Sequence, residues 1–324
     1  MKLTIVGHDQ LSARQYLLWH KVRSLGLAEV QILAPERWRD EVADPKMVTP
    51  VKTGFQGNIM NYMMNVEPHI AQFEPDWIIS MTEYWRQQSL INLQSAKRHG
   101  IKIAFFRWEN LPLDDQIFDP YRTIEHTVLE HADLLICGNL KAETLTKART
   151  NVPIVRLLET GIDTDTFTYR EDSTDTNTDR ILYIGRMSPE KGIGVIKEAT
   201  EGYNMHFGSG DLPYEELPKL MRESAVGVVG SIDQPYWTEQ CCYVIGEMLA
   251  CGLPVVSTDA GSIPEIWGSC RTVYLVPQND PKEMRRSIER VLREHPDRPI
   301  GPRFICENYS NEALARKYVE ALQT

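Results

Sequence analysis

The sequence predicts an α/β protein with two doubly wound, Rossmann-like domains that face an interdomain cleft. Short apolar runs rich in β-branched residues alternate with segments of helical periodicity, as in a parallel sheet covered by helices on both faces. This alternation stops at a polar segment and then begins again. The chain has 324 residues, which is long enough for about two domains. In such domains ligands bind at the carboxyl ends of the strands.

The positions of the apolar runs predict the individual elements. Strands are expected in the first half at residues 3–7, 30–35, 76–81, 101–106 and 133–138. Helical periodicity covers residues 12–25, 58–73, 86–99 and 121–131. Strands are expected in the second half at residues 180–185, 204–210, 225–231, 253–259 and 272–277. The clearest helices of that half are residues 243–250, 281–294 and 311–323.

The polar segment between the two halves is YREDSTDTNTDR, residues 169–180. It has no aliphatic residue and many turn formers, so it is predicted to be a linker. The predicted domains are therefore residues 1–168 and 181–305. The last segment, 306–324, is expected to end in a helix that packs back on the first domain.

Composition limits the classes of partner. A hydrophobic content of 42% and a charged content of 25% are typical of a soluble globular protein with a packed core. The net charge of −10 argues against nucleic acid as the main partner, although a local basic patch could still contact a membrane surface. No apolar run is long enough for a transmembrane segment or a signal peptide, so a cytoplasmic location is expected. The six cysteines form no CxxC pair and are expected to be reduced and buried.

Two carboxylates stand at the head of the run EQCCYVIGEMLACGLPVVSTDAGSIPEIWG, residues 239–268. Glu239 is predicted in a loop, and Glu247 on the short apolar helix that follows. An ionised carboxylate only accepts hydrogen bonds and can hold two vicinal hydroxyl groups, so this pair suits a ligand rich in hydroxyls. A capping acid followed by a solvated helix acid is the alternative interpretation of the spacing alone.

A glycine and two cations follow the first strand of the second half. That strand ends at Gly185, and Arg186 and Lys191 follow in the run RMSPEKG. Glycine allows the backbone to turn close to a ligand, and an Arg fork and a Lys point charge can converge on phosphate oxygens. The alternative is a capped turn with two solvated cations.

The next strand ends in a second glycine-rich sequence, HFGSG, which contains Gly208 and Ser209. A lone G-x-G is more often a structural turn than a ligand site. This one is predicted at the same sheet edge as Gly185 and the Glu239 run. Three ligand-capable strand ends at one edge favour a nucleotide site there.

Together these segments resemble the group 1 (family 4) retaining glycosyltransferases of GT-B fold. The resemblance rests on ILYIGRMSPEKGI, FGSG, the spaced Glu239 and Glu247, EMLACGLPVVSTDAGSIPEI and the earlier ADLLICGN…ETGIDTDTF. These stretches cover most of residues 132–268 in the order and spacing of the family. The family members are alike chiefly in this second, donor-binding domain.

The resemblance implies transfer of a sugar from a nucleotide-sugar donor to an acceptor hydroxyl, with retention of anomeric configuration. Arg186 and Lys191 would neutralise the donor pyrophosphate, Glu247 would bind the ribose, and Glu239 would bind the donor sugar. Arg186, Lys191 and Glu239 are therefore the predicted catalytic residues. Cations and a helix dipole stabilise the leaving diphosphate, so neither a metal nor a cofactor is expected.

One departure from the family lies between the two glutamates. The family usually has Gly-aromatic-Gly after the first glutamate, whereas this chain has Gln240-Cys241-Cys242. The backbone N–H groups from Gln240 to Tyr243 would still face the sugar and the distal phosphate. The larger side chains are expected to narrow the sugar pocket or change the choice of donor.

The first domain supplies five candidates for contact with the acceptor or the reaction centre. They follow predicted strand ends and are His8, Glu83, Arg107, Trp108 and Glu109. The family commonly has a Gly-Gly loop at the position of His8, and often a histidine after the strand that here leads into Arg107. A polar capping role is the alternative for His8.

Two other functions are compatible with the same residues. A GT-B-fold nucleotide-sugar epimerase would turn over the donor without an acceptor, and a non-catalytic protein would only bind nucleotide sugars. For a transferase, the acceptor could be a glycan, a lipid-linked molecule or a small molecule. Asp163 and Asp165 form a D-x-D sequence, but it lies in a turn of the family and no metal is predicted there.

Overall fold

The computed structural model describes residues 1–55, 57–58, 60–112, 118–170, 179–208 and 213–323. Contacts within the chain divide it into two units. Unit 1 is Met1–Gly161 with Leu314–Thr324, and unit 2 is Ile162–Ala313. Residues 171–178 of the predicted linker and Ser209 of the predicted donor site lie outside the described residues.

Unit 1 contains a seven-stranded sheet in the order β11-β10-β9-β8-β1-β2-β5, and its paired strands all run parallel. The strands of this unit are β1 (Lys2–Val6), β2 (Glu29–Pro35), β3 (Arg37–Trp38), β4 (Glu41–Val42), β5 (Thr49–Val51), β6 (Thr53–Gly54), β7 (Met63–Met64), β8 (Trp77–Ser80), β9 (Lys102–Arg107), β10 (Leu134–Cys137) and β11 (Ile154–Arg156). Its helices are α1 (Ala13–Ser24), α2 (Glu67–Phe73), α3 (Gln87–His99), α4 (Tyr121–His131) and α5 (Leu140–Lys147). Strands β3 and β4, and strands β6 and β7, form two small antiparallel ribbons.

Unit 2 contains a five-stranded parallel sheet in the order β13-β12-β14-β15-β16. Its strands are β12 (Ile181–Ile184), β13 (Met205–Gly208), β14 (Val226–Val229), β15 (Val255–Thr258) and β16 (Val273–Val276). Its helices are α6 (Ile193–Ala199), α7 (Leu217–Arg222), α8 (Tyr243–Ala250), α9 (Ile263–Trp267), α10 (Pro281–Glu294) and α11 (Ile300–Asn308). Helix α12 (Asn311–Ala321) begins in unit 2 and passes into unit 1 at Leu314.

Each sheet carries its own apolar core. In unit 1, Phe105, Ile78 and Leu135 of neighbouring strands are almost fully buried against helices α3 and α4. In unit 2, Val228 and Val256 pack with Ile288 of α10. The inner strands of the two sheets are buried on both faces, which explains why they appear in the sequence as continuous apolar runs.

The ten predicted strands are confirmed, and every bound lies within two residues of the predicted one. The helix predicted over residues 58–73 is wrong in its first part, because α2 begins only at Glu67. Pro68 lies in the first turn of α2, where its missing N–H costs no hydrogen bond. A helix starting at residue 58 would place this proline in its interior. Within the described part, Met63–Met64 instead pair with Thr53–Gly54.

The expectation that the cysteines are reduced and buried holds only in part. All six are free, and four are buried. Cys242 is half-buried, and Cys306 is exposed, so the expectation is wrong for Cys306. In the described part of the chain, no helix combines the length and apolarity needed to span a bilayer.

Gly192 fixes the turn that leads from Lys191 into α6. Its φ is +64°, in the left-handed region, and it forms the N-cap of α6. A Cβ atom at this position would collide with the carbonyl oxygen of Gly230, which follows β14. Both the backbone angle and the close approach therefore require glycine.

We expect Gly192→Ala to lower the free energy of unfolding by more than ~1 kcal/mol, since the left-handed conformation alone costs an L-residue about that much. Gly194→Ala is the matched control. A Cβ atom at Gly194 meets no atom within 4 Å, and alanine in a helix is favoured over glycine by roughly 0.5–1 kcal/mol. Urea unfolding of both variants measures the difference, and equal effects would contradict the assignment of Gly192.

Candidate functional site

The two predicted glycine strand ends are neighbours in unit 2. Strand β12 pairs with β13 so that Ile184 lies opposite Gly208, and the N–H of Gly185 donates to the carbonyl of Gly208 at 3.0 Å. The φ of Gly185 is +155°, and a Cβ atom there would collide with the hydroxyl group of Tyr183. This hydroxyl donates to the carbonyl of Arg186 at 2.6 Å, which fixes the turn after β12.

Lys191 and Glu239, which are 48 residues apart in the sequence, form an ion pair. The distance from Lys191 Nζ to Glu239 Oε1 is 2.5 Å, and the two side chains are 20% and 6% exposed. Ser231 Oγ donates to the same carboxylate oxygen at 2.7 Å. A charge-assisted pair this deeply buried holds both side chains in fixed positions.

Ser231 and Trp237 complete a cluster with Lys191 and Glu239, and neither was predicted from the sequence. Ser231 is fully buried, and its carbonyl accepts a hydrogen bond from Thr258 Oγ1 at 2.6 Å. Trp237 lies with its ring centroid 4.8 Å from Lys191 Nζ, which is a cation–π distance. Ser231 is a polar residue at the carboxyl end of the central strand β14. Its position in the sequence could have marked it as a candidate site residue.

The loop that carries Glu239 is tied to helix α9. The Glu239 carbonyl accepts from the N–H and the hydroxyl of Ser262, each at 3.1 Å, and the Gln240 carbonyl accepts from the same hydroxyl. The Cys241 carbonyl accepts from Trp267 Nε1 at 2.5 Å. Three successive carbonyl groups of the loop are therefore directed at α9, which fixes the backbone from Glu239 to Cys241.

Cys242 adopts a backbone conformation that L-residues rarely accept. Its φ and ψ are 58° and 61°, and it is the N-cap of α8, directly before Tyr243. This left-handed geometry is the one that glycine favours, and glycine is the residue of the resembled family at this position. Burial and the nearby charge of Glu239 raise the pKa of the Cys242 thiol well above its ordinary value, so the thiol is neutral at physiological pH.

Glu247 lies on the fifth residue of α8 and is 4% exposed. Its backbone carbonyl accepts the N–H of Cys251 at 3.2 Å. The pKa of the Cys251 thiol is raised to about 12, mainly by burial, with a further contribution from the charge of Glu247. Glu247 is thus a buried carboxylate on the apolar helix, as the sequence predicted for its position.

Arg186 differs from Lys191 in its surroundings. Its side chain is 69% exposed, and its guanidinium lies 3.5 Å from the carboxylate of Glu190. Glu190 in turn accepts from Ser188 Oγ at 2.7 Å. Arg186 is therefore a surface cation next to the strand end, whereas Lys191 is already fixed inside the cluster.

The unit 1 candidates lie at adjacent strand ends, because β8 stands between β9 and β1. His8 follows β1, Glu83 follows β8, and Arg107 ends β9. The His8 ring is 4.7 Å from the ring of Trp38, and burial lowers the His8 pKa to about 4, with the charge of Arg86 as the second cause. The His8 imidazole is therefore neutral at physiological pH.

Trp108 and Glu109 follow directly after Arg107. The ring of Trp108 packs 4.8 Å from that of Phe106, and Trp108 donates a hydrogen bond to Glu159. Burial raises the pKa of Glu109, and the nearby Arg107 opposes this shift. Glu159 and Asp9 also share a hydrogen bond, and burial raises the pKa of both carboxyl groups.

The D-x-D sequence forms a turn. Asp163 Oδ1 accepts the N–H groups of Asp165 and Thr166 at 3.1 and 3.3 Å. In the described ranges, His, Cys, Asp and Glu side chains form no group of three or more arranged for a metal ion.

Comparisons with known proteins support the family resemblance and the fold. Residues 204–294 match the family model for glycosyl transferases group 1. This segment contains Gly208, Glu239 and Glu247, so the resemblance predicted from the sequence is confirmed there. A search of curated protein sequences gives no significant match.

Solved structures show the fold of the whole chain. A sucrose-phosphate synthase from Thermosynechococcus elongatus superposes with a TM-score of 0.72 at 16% identity, covering 100% of this chain and 98% of that one. Anabaena HepE in complex with UDP-glucose gives 0.71 at 14% identity, covering 100% and 99%. A UDP-GlcNAc 2-epimerase from Methanocaldococcus jannaschii gives 0.57 at 13% identity, covering 100% and 99%. The chain therefore has the predicted GT-B fold of two Rossmann-like domains.

We expect Cys242→Gly to be more stable than Cys242→Ala by about 1 kcal/mol, because only the alanine variant keeps a Cβ atom in the left-handed region. Both substitutions remove the thiol, so the stability lost with its packing is the same in the two variants. The same two substitutions at Cys251, whose φ is −80°, are the control and should give the opposite order. Thermal unfolding of the four variants tests this, and an alanine variant equal to glycine at residue 242 would contradict it.

We expect Glu83→Gln to change how stability depends on pH. Burial raises the pKa of Glu83 above its ordinary value, with Arg86 opposing the shift. The stability that this carboxyl contributes is present below its unfolded pKa and is lost as pH rises through the folded pKa. Glutamine does not titrate, so the melting temperature of the variant relative to the parent should rise from pH 5 to pH 8. Glu41→Gln, at an exposed residue of β4, is the control and should give a constant difference.

Proposed function

We propose that this chain is a retaining glycosyltransferase that moves a sugar from a nucleotide-sugar donor to an acceptor hydroxyl. The observation that carries the proposal is the 2.5 Å contact between Lys191 and Glu239. In a nucleotide sugar the pyrophosphate and the sugar are covalently joined. The cation for one and the carboxylate for the other must therefore lie within a few ångströms, and in this chain they touch. The match of residues 204–294 to glycosyl transferases group 1 supports the same reaction.

The proposed roles follow from the chemistry of each group. Lys191 exchanges part of its contact with Glu239 for a phosphate oxygen of the donor and stabilises the charge of the leaving diphosphate. Arg186, which is exposed, adds a second cation from the surface side. Glu239 accepts hydrogen bonds from the sugar, and Glu247 from the ribose.

The backbone before α8 is proposed to bind the diphosphate and the sugar through its N–H groups. The dipole of a helix is positive at its N-terminus, so the start of α8 favours an anionic ligand. The carbonyls of residues 239–241 are already bound to α9. The loop is therefore held in one conformation before any donor arrives.

Retention requires that the acceptor hydroxyl attacks from the face that the diphosphate leaves. In this proposal the leaving diphosphate accepts the hydroxyl proton, so no protein base is needed. Because Lys191 and Arg186 supply the positive charge, the reaction is proposed to be independent of a metal.

Lys191→Ala is expected to weaken binding of UDP and of UDP-glucose, used as probes, by at least tenfold. The variant loses a charge-assisted hydrogen bond, which contributes about 1.5–3 kcal/mol. Glu239→Gln should weaken the binding of UDP-glucose more than that of UDP. Glutamine has one uncharged carbonyl oxygen in place of the two carboxylate oxygens that accept from the sugar hydroxyls. Titration calorimetry measures both ligands. Lys219→Ala, at a lysine that is 76% exposed, is the control and should bind like the parent.

Assays of turnover separate the candidate functions, and the same variants test the site assignment. An acceptor-dependent release of nucleoside diphosphate that persists with a chelator supports the metal-independent transferase. Conversion of the donor without an acceptor would support the epimerase, whose fold also resembles this chain. Normal UDP and UDP-glucose binding by both Lys191→Ala and Glu239→Gln would show that the donor site is wrongly assigned.

A further inference from the structure

Polar side chains gather where β8 and β9, which pair directly in unit 1, reach their carboxyl ends. Glu83 and Arg86 follow β8, whereas Arg107 ends β9 and Glu109 follows it. These four side chains form two Arg–Glu pairs. The Arg86 Nη2 to Glu83 Oε1 distance is 3.8 Å, and the Arg107 Nε to Glu109 Oε2 distance is 4.0 Å.

Both arginines are stacked on aromatic rings and are held in place. The guanidinium of Arg86 lies 3.7 Å from the ring of Trp85, and that of Arg107 lies 4.0 Å from the ring of Tyr84. Arg107 Nη2 also donates to the hydroxyl of Tyr84 at 2.6 Å. Trp85 Nε1 donates to Glu109 Oε1 at 3.1 Å and so connects the two pairs.

The two pairs leave charged atoms without hydrogen bonds. Arg107 is 2% exposed and Arg86 is 8% exposed. Among the described residues, these buried atoms have no hydrogen-bond partner: Glu83 Oε2, Glu109 Oε2, Arg86 Nε, Arg107 Nε and Arg107 Nη1. A buried polar atom that stays unpaired costs about 1–3 kcal/mol, and more when it is charged. Buried polar atoms without a partner call for an explanation, and a ligand that supplies the missing donors and acceptors is one.

The charges of the two Arg–Glu pairs determine which kind of ligand can bind to them. Each pair places guanidinium N–H donors within about 4 Å of a carboxylate acceptor. A phosphate would be attracted by the arginines but repelled by the glutamates. A protonated amine would be attracted by the glutamates but repelled by the arginines. A hydroxyl group both accepts and donates, so it can bridge a guanidinium and a carboxylate at once. Several adjacent hydroxyls would satisfy both pairs.

The neighbouring strand end adds an uncharged surface. His8 follows β1, the other neighbour of β8, and its ring contacts those of Trp38 and Tyr62 at 4.7 and 5.2 Å. His8 is neutral because burial lowers its pKa to about 4. Trp38 and Tyr62 are buried, so only the half-buried His8 ring is available at this strand end, and it adds no charge to the site.

We infer that this edge of unit 1 binds a neutral, hydroxyl-rich group, namely an uncharged sugar or cyclic polyol at the accepting end of the acceptor. That the bound group is the acceptor rests on the proposed transferase function, whereas the site itself consists of unit 1 residues alone. Glu83, Glu109 and Arg107 are its hydrogen-bonding residues. An acceptor whose reacting sugar carries a phosphate or an amine at these contacts is disfavoured by the same charges.

The test measures release of nucleoside diphosphate by the full chain at a saturating concentration of a donor that calorimetry has shown to bind. The acceptor probes are uncharged monosaccharides, their methyl glycosides and myo-inositol, each compared with its phosphorylated or amino analogue. We expect an uncharged probe to stimulate release and its charged analogues to be at least tenfold less effective in kcat/KM. In Glu109→Gln the KM for the acceptor should rise at least tenfold, while the Kd for the donor stays unchanged.

Controls separate binding from structure. Glu83→Gln provides a second variant should Glu109→Gln unfold, and Glu130→Gln, at an exposed glutamate, should leave the acceptor KM unchanged. A preference for phosphorylated or amino probes, or no stimulation by any uncharged probe despite donor binding, would overturn the inference. A parent protein that binds no nucleotide sugar would instead contradict the proposed function, and direct binding of the uncharged probes would then decide the unit 1 site by itself.

Discussion

The parallel pairing of the strands is the constraint on which both candidate sites depend. In a parallel sheet every strand ends at the same edge, so residues far apart in sequence are brought together there by backbone hydrogen bonds alone. In unit 2 this constraint places the turn after β12 beside the end of β13. In unit 1 it places the residues after β8 next to those after β9. The apolar runs that bury the strands thereby also determine which polar residues meet.

Within this framework, the pair of Lys191 and Glu239 has a specific physical consequence. A buried ion pair contributes little net stability, because desolvation of both charges offsets their attraction. Removing one partner is costly, since the other charge then remains buried without compensation. A phosphate that approaches Lys191 therefore competes with an existing carboxylate contact. In the proposed donor complex, the start of α8 and the exposed Arg186 would balance the negative charge of the phosphate.

The sequence was sufficient for the regular elements and much less so for the contacts between them. Continuous apolar runs such as residues 225–231 predicted strands well, because burial on both faces leaves no other pattern. The two-residue strands Thr53–Gly54 and Met63–Met64 have no such run, and the helix predicted across the second of them was wrong. Pro68 was the local signal against that helix, since proline is tolerated in the first turn but not further along.

The site shows the same division. The resemblance to the family pointed to Glu239 and Lys191, but no spacing rule predicts that residues 48 positions apart form an ion pair. Ser231 and Trp237 belong to no motif, and only the fold brings them to the cluster. In unit 1 the sequence pointed to Glu83, Arg107 and Glu109 one by one. The role of Arg86 depends on side-chain stacking that a linear pattern does not contain.

Cys242 combines a rare backbone conformation with a place next to the proposed donor site. The left-handed conformation is retained although the residue is not glycine, so the fold accepts a local cost of about 1 kcal/mol at this position. Burial raises the pKa of its thiol, the charge of Glu239 raises it further and that of Lys191 lowers it, so the side chain lies within range of the charges that are proposed to hold the donor. In the proposed donor complex a glycine would leave more space next to Glu239 than Cys242 does. Under that proposal the start of α8 would serve the diphosphate, whereas the Cys242 side chain would affect the sugar.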